Sequence, residues 1–377
     1  MKPFEDFIGQ MLASARRVQA NDVSSATDII QRALAQAGLG MPQAPAAALE
    51  ERAAFVDLNP APDWSRPRAQ PGASQPRPAQ PRSAQAPRAQ AGGALPGQFI
   101  AGSHACEAGA RRYKLYIPAR AASGARPLVV MLHGCTQNPD DFAVGTGMNA
   151  LAEEFGCLVL YPEQDGKHNR SQCWNWFEGA HQVRDAGEPA IIAGMTRRVM
   201  AEHGAAPSQV FVAGMSAGGA MAAVLGATYP ELYAAVGVHS GLPAGSARDM
   251  ISGLQAMKKP GKGRTLREAV PVIVFHGDAD HVVSPANGEA VLGQFVGAHA
   301  GLRAAPLTVR SEDSQQNGRR CSRRTWSDGE GRAMAEHWVV YGAGHAWSGG
   351  NAAGSHTDAL GPNASREMLR FFLSDYR

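Results

Sequence analysis

From residue 127 onward, short apolar runs alternate with segments of helical pattern. Continuous apolar runs separated by helices indicate parallel strands that are covered on both faces. Runs of this kind lie at 127–132, 210–212, 233–238, 271–275 and 335–341. The pattern predicts a doubly wound, mostly parallel sheet of the α/β class.

Two further patterns extend this fold in both directions. Residues 111–117 alternate between polar and apolar side chains, which predicts an outer antiparallel strand paired with 98–103. Residues 363–373 have the pattern of the last helix of the fold. We therefore assign one α/β domain to residues 98–377.

Residues 1–97 differ in composition from the rest of the chain. Apolar positions at near-helical spacing predict two short helices within residues 1–40, arranged as a hairpin. Residues 41–97 are rich in Ala, Pro, Gln and Arg, and no acidic residue follows Asp63 in this stretch. Such a segment buries too little apolar surface to fold, which predicts a disordered linker.

Charge and hydropathy exclude some partners and favour one location. A formal net charge of +3 on 377 residues gives no argument for nucleic-acid binding. No run reaches the roughly 18 apolar residues of a transmembrane helix. Glu5, Asp6 and Gln10 interrupt the apolar positions near the N-terminus, so no signal peptide is predicted and a cytoplasmic location is favoured.

The strongest chemical signal is Gly-Met-Ser-Ala-Gly at 214–218, between a predicted strand and a predicted helix. This is the context of a nucleophile elbow, a tight turn that exposes the hydroxyl of its serine. Ser216 is therefore the candidate nucleophile, and a plain Gly-rich loop is the alternative. The following helix would direct free N–H groups toward developing negative charge.

A serine nucleophile needs a base and a carboxylate to orient that base, in the order Ser, Asp, His for this type of sheet. Asp280 follows the apolar run 271–275, and His345 follows the run 335–341. We assign His345 as general base and then acid, and Asp280 as the group that orients it. Asp278 is the alternative acid.

Two other histidines are alternative bases. His276 precedes the turn that carries Asp280, and we expect it to hold that loop. His239 follows the apolar run 233–238, and we expect it to be a structural or substrate-pocket residue.

An oxyanion hole needs two backbone N–H donors, one directly after the nucleophile and one on an early loop. Ala217 supplies the first. The early loop is His-Gly-Cys-Thr-Gln at 133–137, after the first predicted parallel strand. Cys135 is the expected second donor through its main chain, with Thr136 as the alternative.

Six segments taken together resemble the poly(3-hydroxybutyrate) (PHB) depolymerase-type esterases, an α/β-hydrolase family that also includes feruloyl and acetylxylan esterases. The resemblance runs from about residue 98 to the C-terminus. Ser348 departs from it, because members often have proline there. The segments are HGCTQ at 133–137, YPEQ at 161–164, CWNWF at 173–177, GMSAGG at 214–219, HGDAD at 276–280 and GHAW at 344–347.

The resemblance implies the α/β-hydrolase fold and serine-dependent hydrolysis of carboxylic esters without a metal or organic cofactor. It implies hydroxyalkanoate or short-chain esters as substrates. The alternatives are a carbohydrate esterase for feruloyl or acetyl groups, or a non-catalytic granule-binding protein. The family is often secreted, which makes an extracellular location the alternative to the cytoplasm. The hairpin at 1–40 is expected either to dock on the protein itself or to anchor it on a polyester granule.

Aromatic residues near the expected site suggest how a substrate would be held. Trp174, Trp176 and Trp347 offer flat apolar faces for a substrate pocket, together with His239. The alternative is that these tryptophans are ordinary core residues.

The family positions of Cys135 and Cys173 both border the site, which implies a candidate disulfide. Cys157 is expected to be a free core thiol. Cys106 and Cys321 are expected on loop or edge segments, where they could pair with each other.

Overall fold

The structure is a computed structural model that describes residues 95–120, 124–268, 270–302 and 306–374. The helical hairpin expected at 1–40 lies outside the described residues, as does the expected linker up to residue 94.

The strands of the described residues, in chain order, are β1 (Gln98–Cys106), β2 (Gly109–Ile117), β3 (Arg126–Leu132), β4 (Leu158–Pro162), β5 (Ala205–Met215), β6 (Ala235–His239), β7 (Val272–Gly277), β8 (Thr308–Gln316), β9 (Arg319–Ser327), β10 (Ala333–Val340), β11 (Trp347–Ser348) and β12 (Thr357–Asp358). The α-helices are α1 (Pro139–Thr146), α2 (Met148–Phe155), α3 (Gly187–His203), α4 (Ala217–Thr228), α5 (Met250–Lys258), α6 (Ala286–Leu302) and α7 (Ala364–Phe372), and a 3₁₀-helix spans Gly179–His181.

Ten of these strands form one sheet in the order β1-β2-β4-β3-β5-β6-β7-β10-β9-β8. The six strands from β4 to β10 in this order are parallel to one another. The pairs at both ends are antiparallel. The predicted mostly parallel sheet is confirmed, and β1 pairs with β2 as expected.

Helices cover both faces of the sheet, and the central strands direct buried apolar side chains to each face. Along β3, Leu128 and Val130 pack into one buried cluster and Val129 and Met131 into another. Successive side chains of a strand point to opposite faces, so the two clusters lie on opposite sides of the sheet. Helices α3, α4 and α6 contribute to the first cluster, and α1, α2 and α7 to the second.

The hairpin of β8 and β9 was not expected from the apolar pattern. Most residues of β8 are exposed, so the strand lacks the apolar alternation of a half-buried strand. Its turn is Asn317-Gly318, and both residues have positive φ, at 42° and 82°. Asn-Gly is a strong hairpin signal, and it was available in the sequence.

The cysteines follow the sequence expectations in part. Cys135 and Cys173 form a disulfide, and Cys157 is a buried free thiol. The suggested pairing of Cys106 with Cys321 is wrong. Both are free, since Cys106 is exposed at the end of β1 and Cys321 is buried in β9, at the opposite end of the sheet. Within the described residues, no helix is long and apolar enough to cross a membrane.

Candidate active site

Ser216 lies on a tight turn between β5 and α4 and is partly exposed. Its backbone has φ 56° and ψ −120°, a strained conformation for a residue with a side chain. The two glycines of the motif make this turn sterically feasible. A Cβ on Gly218 would lie 2.0 Å from the carbonyl oxygen of Leu132, and one on Gly214 would lie 2.4 Å from the carbonyl of Gly218.

His345 and Asp280 are in direct contact. His345 Nδ1 lies 2.7 Å from Asp280 Oδ2, with 12% of the His345 side chain exposed and none of the Asp280 side chain. The other oxygen of Asp280 accepts the N–H groups of Val282 and Val283, each at 2.9 Å. Asp278 is exposed and instead accepts the N–H of Gly342 at 2.6 Å. The structure thus brings Asp280, and not Asp278, to His345.

The environment of Asp280 keeps it ionised. Burial alone would raise the pKa of this carboxyl group, but hydrogen bonds from His276 and His345 outweigh burial and lower its pKa below the usual value. His276 Nε2 lies 3.4 Å from Asp280 Oδ2 and 3.0 Å from the carbonyl oxygen of Val283. His276 is only 1% exposed, and through these two contacts it holds the loop that carries Asp280.

The early loop packs against the elbow, because a Cβ on Gly134 would lie 3.6 Å from Ser216 Cβ. Of the N–H groups of Gly134, Cys135 and Thr136, two are occupied. Gly134 donates to Gln137 Oε1 at 3.0 Å, and Thr136 donates to the carbonyl oxygen of Ser171 at 2.7 Å. The Cys135 N–H has no such partner within the described residues. Ala217, the first residue of α4, carries a helix N-terminal N–H.

His133 holds the early loop in place, a role that the sequence did not single out. Its Nε2 accepts the N–H of Gln164 at 3.1 Å, and its carbonyl oxygen accepts the indole N–H of Trp174 at 3.1 Å. Burial lowers the pKa of His133 to about 4, so its ring is neutral at ordinary pH. The Cys135–Cys173 disulfide joins the same two segments covalently.

A buried charge cluster lies behind this loop and was also missed. Glu188 has no exposed side-chain surface and accepts hydrogen bonds from Arg111, Gln164 and both the backbone and side chain of Asn175. The Gln164 amide donates as well to the carbonyl oxygen of Cys173. The partners are separated by up to 77 positions in sequence, so no local spacing reveals them.

The four expected pocket residues are buried in the structure. Trp174 is 0% exposed, Trp347 and His239 are each 1% exposed, and Trp176 is 6% exposed. The indole N–H of Trp347 donates to Ser365 Oγ, and its ring stacks on that of His239 at 4.9 Å. These four side chains therefore leave little surface for a substrate to contact.

A family model described as esterase PHB depolymerase matches residues 111–317, more than half of the chain. The chain belongs to this family. A poly(3-hydroxyalkanoate) depolymerase C of Paucimonas lemoignei is 32% identical over 234 residues, which are 58% of this chain and 54% of that protein. A probable acetylxylan esterase A of Aspergillus fumigatus is 29% identical over 224 residues, which are 54% of this chain and 59% of that protein.

The chain thus spans little more than half the length of these two relatives. Among solved structures, the acetyl xylan esterase from Aspergillus awamori is similar in fold, with a TM-score of 0.53 and 22% identity. The alignment covers 70% of this chain and 93% of that chain. The α/β-hydrolase fold expected from the sequence is confirmed.

Proposed function

We propose that this protein is a serine hydrolase of carboxylic esters, with residues 98–377 as its catalytic domain. The observation that carries the proposal is the buried, ionised Asp280 in contact with His345, in a fold whose elbow exposes Ser216. Each of the three residues follows the carboxyl end of a parallel strand, where active sites of open α/β sheets form. Family membership supports the same chemistry.

In the proposed reaction, His345 Nε2 takes the proton of the Ser216 hydroxyl as its oxygen attacks the ester carbonyl. Asp280 accepts from His345 Nδ1–H, which leaves Nε2 free to act as base. The N–H groups of Cys135 and Ala217 stabilise the oxyanion. Collapse breaks the ester C–O bond, and the leaving alcohol takes the proton from His345. A water molecule then hydrolyses the acyl-enzyme by the same steps.

We propose hydroxyalkanoate oligomers or related short-chain esters as the substrates. An apolar surface on α5 supports this class, since Met250, Ile251 and Leu254 are 61, 71 and 62% exposed. The end of α5 is hydrogen-bonded to the Asp280 loop, because the carbonyl oxygen of Met257 accepts the N–H of Ser284 at 2.7 Å. Apolar substrate segments would therefore contact an apolar surface close to the Asp280 loop.

Carbohydrate ester hydrolysis is the second candidate, and the similarity to acetylxylan esterases supports it. The proposed triad serves both substrates equally. Only the alcohol part of the ester differs, a hydroxyacid chain in one case and a sugar in the other. The two candidates are separated by substrate preference and not by the catalytic residues.

The proposal is tested by labelling and by a substrate panel. A fluorophosphonate probe should label the parent protein at Ser216 and leave Ser216→Ala unlabelled. Rates should then be compared on p-nitrophenyl acetate, 3-hydroxybutyrate oligomers, acetylated xylan and methyl ferulate. Labelling at Ser216 together with faster hydrolysis of acetylated xylan or methyl ferulate than of the oligomers would favour the carbohydrate esterase. Absence of labelling in a folded parent protein would exclude the serine mechanism and leave the non-catalytic alternative.

A further inference from the structure

His239 lies at the centre of the proposed site without reaching its surface. It is the last residue of β6, between the strand that leads to Ser216 and the strand that leads to Asp280. Its carbonyl oxygen accepts the N–H of Ser216 at 2.9 Å. The main chain of His239 therefore anchors the nucleophile elbow directly.

The ring of the same residue reaches the loop that carries His345. Its Nε2 accepts the N–H of Ser348 at 3.0 Å, three positions beyond His345. The ring is stacked on Trp347 with centroids 4.9 Å apart and on Phe275 at 5.8 Å. Trp347 is held in turn by its bond to Ser365 Oγ. The loop that carries His345, here called the base loop, is thus fixed to His239 by one hydrogen bond and one ring contact.

The hydrogen bonds also define the protonation state of His239. A backbone N–H can only donate, so Nε2 must be unprotonated and the ring proton must be on Nδ1, 3.3 Å from Ser240 Oγ. Burial, with the nearby His276 and His345, lowers the pKa of His239 to about 3. The ring therefore remains a neutral acceptor while His345 gains and loses its proton.

We propose that His239 is a positioning residue that fixes the nucleophile elbow and the base loop relative to each other, the elbow through its carbonyl oxygen and the loop through its ring. It touches neither substrate nor reacting atoms. This inference rests on the proposed serine mechanism and adds to it the element that connects Ser216 with His345. The predicted consequence is a change in reaction rate rather than in substrate binding.

The test compares His239→Phe, which keeps a flat ring but has no acceptor, with His239→Gln, whose side-chain oxygen can accept the Ser348 N–H. Because a shift of about 1 Å in a reacting group costs on the order of 100-fold in rate, we expect His239→Phe to lower kcat on p-nitrophenyl acetate by about 100-fold. KM should stay within about twofold. His239→Gln should recover at least about a third of the parent kcat.

Trp338→Phe is the matched control for stability. Trp338 is also a buried aromatic residue stacked on Phe275, at 5.4 Å, but its indole N–H donates to Glu336 on its own strand and not to the loop that carries His345. Trp338→Phe should lower the melting temperature and leave kcat unchanged. If His239→Phe loses stability to the same extent as Trp338→Phe yet keeps kcat within about threefold, His239 is a packing residue and the proposal is wrong.

Two measurements keep the test independent of substrate and of variant folding. The rate of fluorophosphonate labelling at Ser216 should fall in His239→Phe together with kcat. An unlabelled parent protein would refute the serine mechanism itself, whereas equal labelling rates in parent and variant would refute only the role of His239. In the parent protein, ¹⁵N spectra should show the His239 ring neutral, with Nε2 unprotonated, from pH 5 to 8. Titration in that range would also overturn the proposal.

Discussion

Replacing Asp280 by asparagine tests the proposed acid with little change in shape. The side-chain oxygen of the asparagine can still accept the two loop N–H groups that bond to Asp280 at 2.9 Å. Its amide NH₂ then replaces the oxygen that lies 2.7 Å from His345 Nδ1. An NH₂ group donates, so His345 would have to accept at Nδ1 and carry its proton on Nε2, where it cannot act as base.

The expected loss in kcat for Asp280→Asn is about 10³- to 10⁴-fold, which corresponds to about 4–5.5 kcal/mol of transition-state stabilisation. KM should be nearly unchanged, because Asp280 is buried and does not reach the substrate. The same NH₂ faces His276 Nε2, which also donates. We therefore expect a stability loss of about 1–3 kcal/mol in urea unfolding.

Asp278→Asn is the matched control, two positions away on the same loop. Asp278 is exposed and accepts one backbone N–H, which an asparagine oxygen can equally accept. Its kcat on p-nitrophenyl acetate should stay within about threefold of the parent value. The reasoning is refuted if Asp278→Asn is the more damaging change, or if Asp280→Asn retains more than about a tenth of the parent kcat.

The loops, the buried histidines and the N-terminal segment give three further predictions. Serine at Cys135 or Cys173 should leave ester hydrolysis detectable but lower unfolding stability by about 3–4 kcal/mol, since the bridge closes a loop of 38 positions. Reductant should have the same effect on the parent protein and none on the double variant, and five free thiols in the denatured, unreduced protein would rule the bridge out. Burial lowers the pKa of His133 to about 4 and of His239 to about 3, so the unfolded chain binds more protons than the folded protein below about pH 6.5. Stability should be full above that pH and fall as pH decreases, by up to about 1.4 kcal/mol per pH unit for each histidine, and urea unfolding that is unchanged between pH 7 and 5 would contradict this. Deletion of residues 1–96 should leave hydrolysis of small soluble esters nearly unchanged and weaken binding to polyester particles, whereas equal particle binding by both proteins would exclude an anchor in that segment.

Local sequence determines the parts of this protein that depend on local sterics. The continuous apolar runs of the central strands indicate a parallel sheet, because the strands of such a sheet are covered by helices on both faces. The turn at Ser216 follows from its two glycines, where a Cβ would meet backbone within 2.4 Å or less. The loops that carry Asp280 and His345 could also be located from the sequence, because each follows an apolar run that predicts a strand.

The tertiary structure decided which side chains meet across large separations in sequence. Local pattern favours Asp280 and leaves Asp278 as the alternative acid, and the contact with His345, 65 positions later, separates them. Trp347 is interpreted as a pocket residue by its position alone, yet it is buried, because a helix and a second ring enclose it. The sequence leaves open whether His239 is structural or lines a substrate pocket. Its hydrogen bond to Ser348, 109 positions away, favours the structural role. Local pattern constrains backbone shape, whereas burial and hydrogen-bond partners depend on how distant segments pack together.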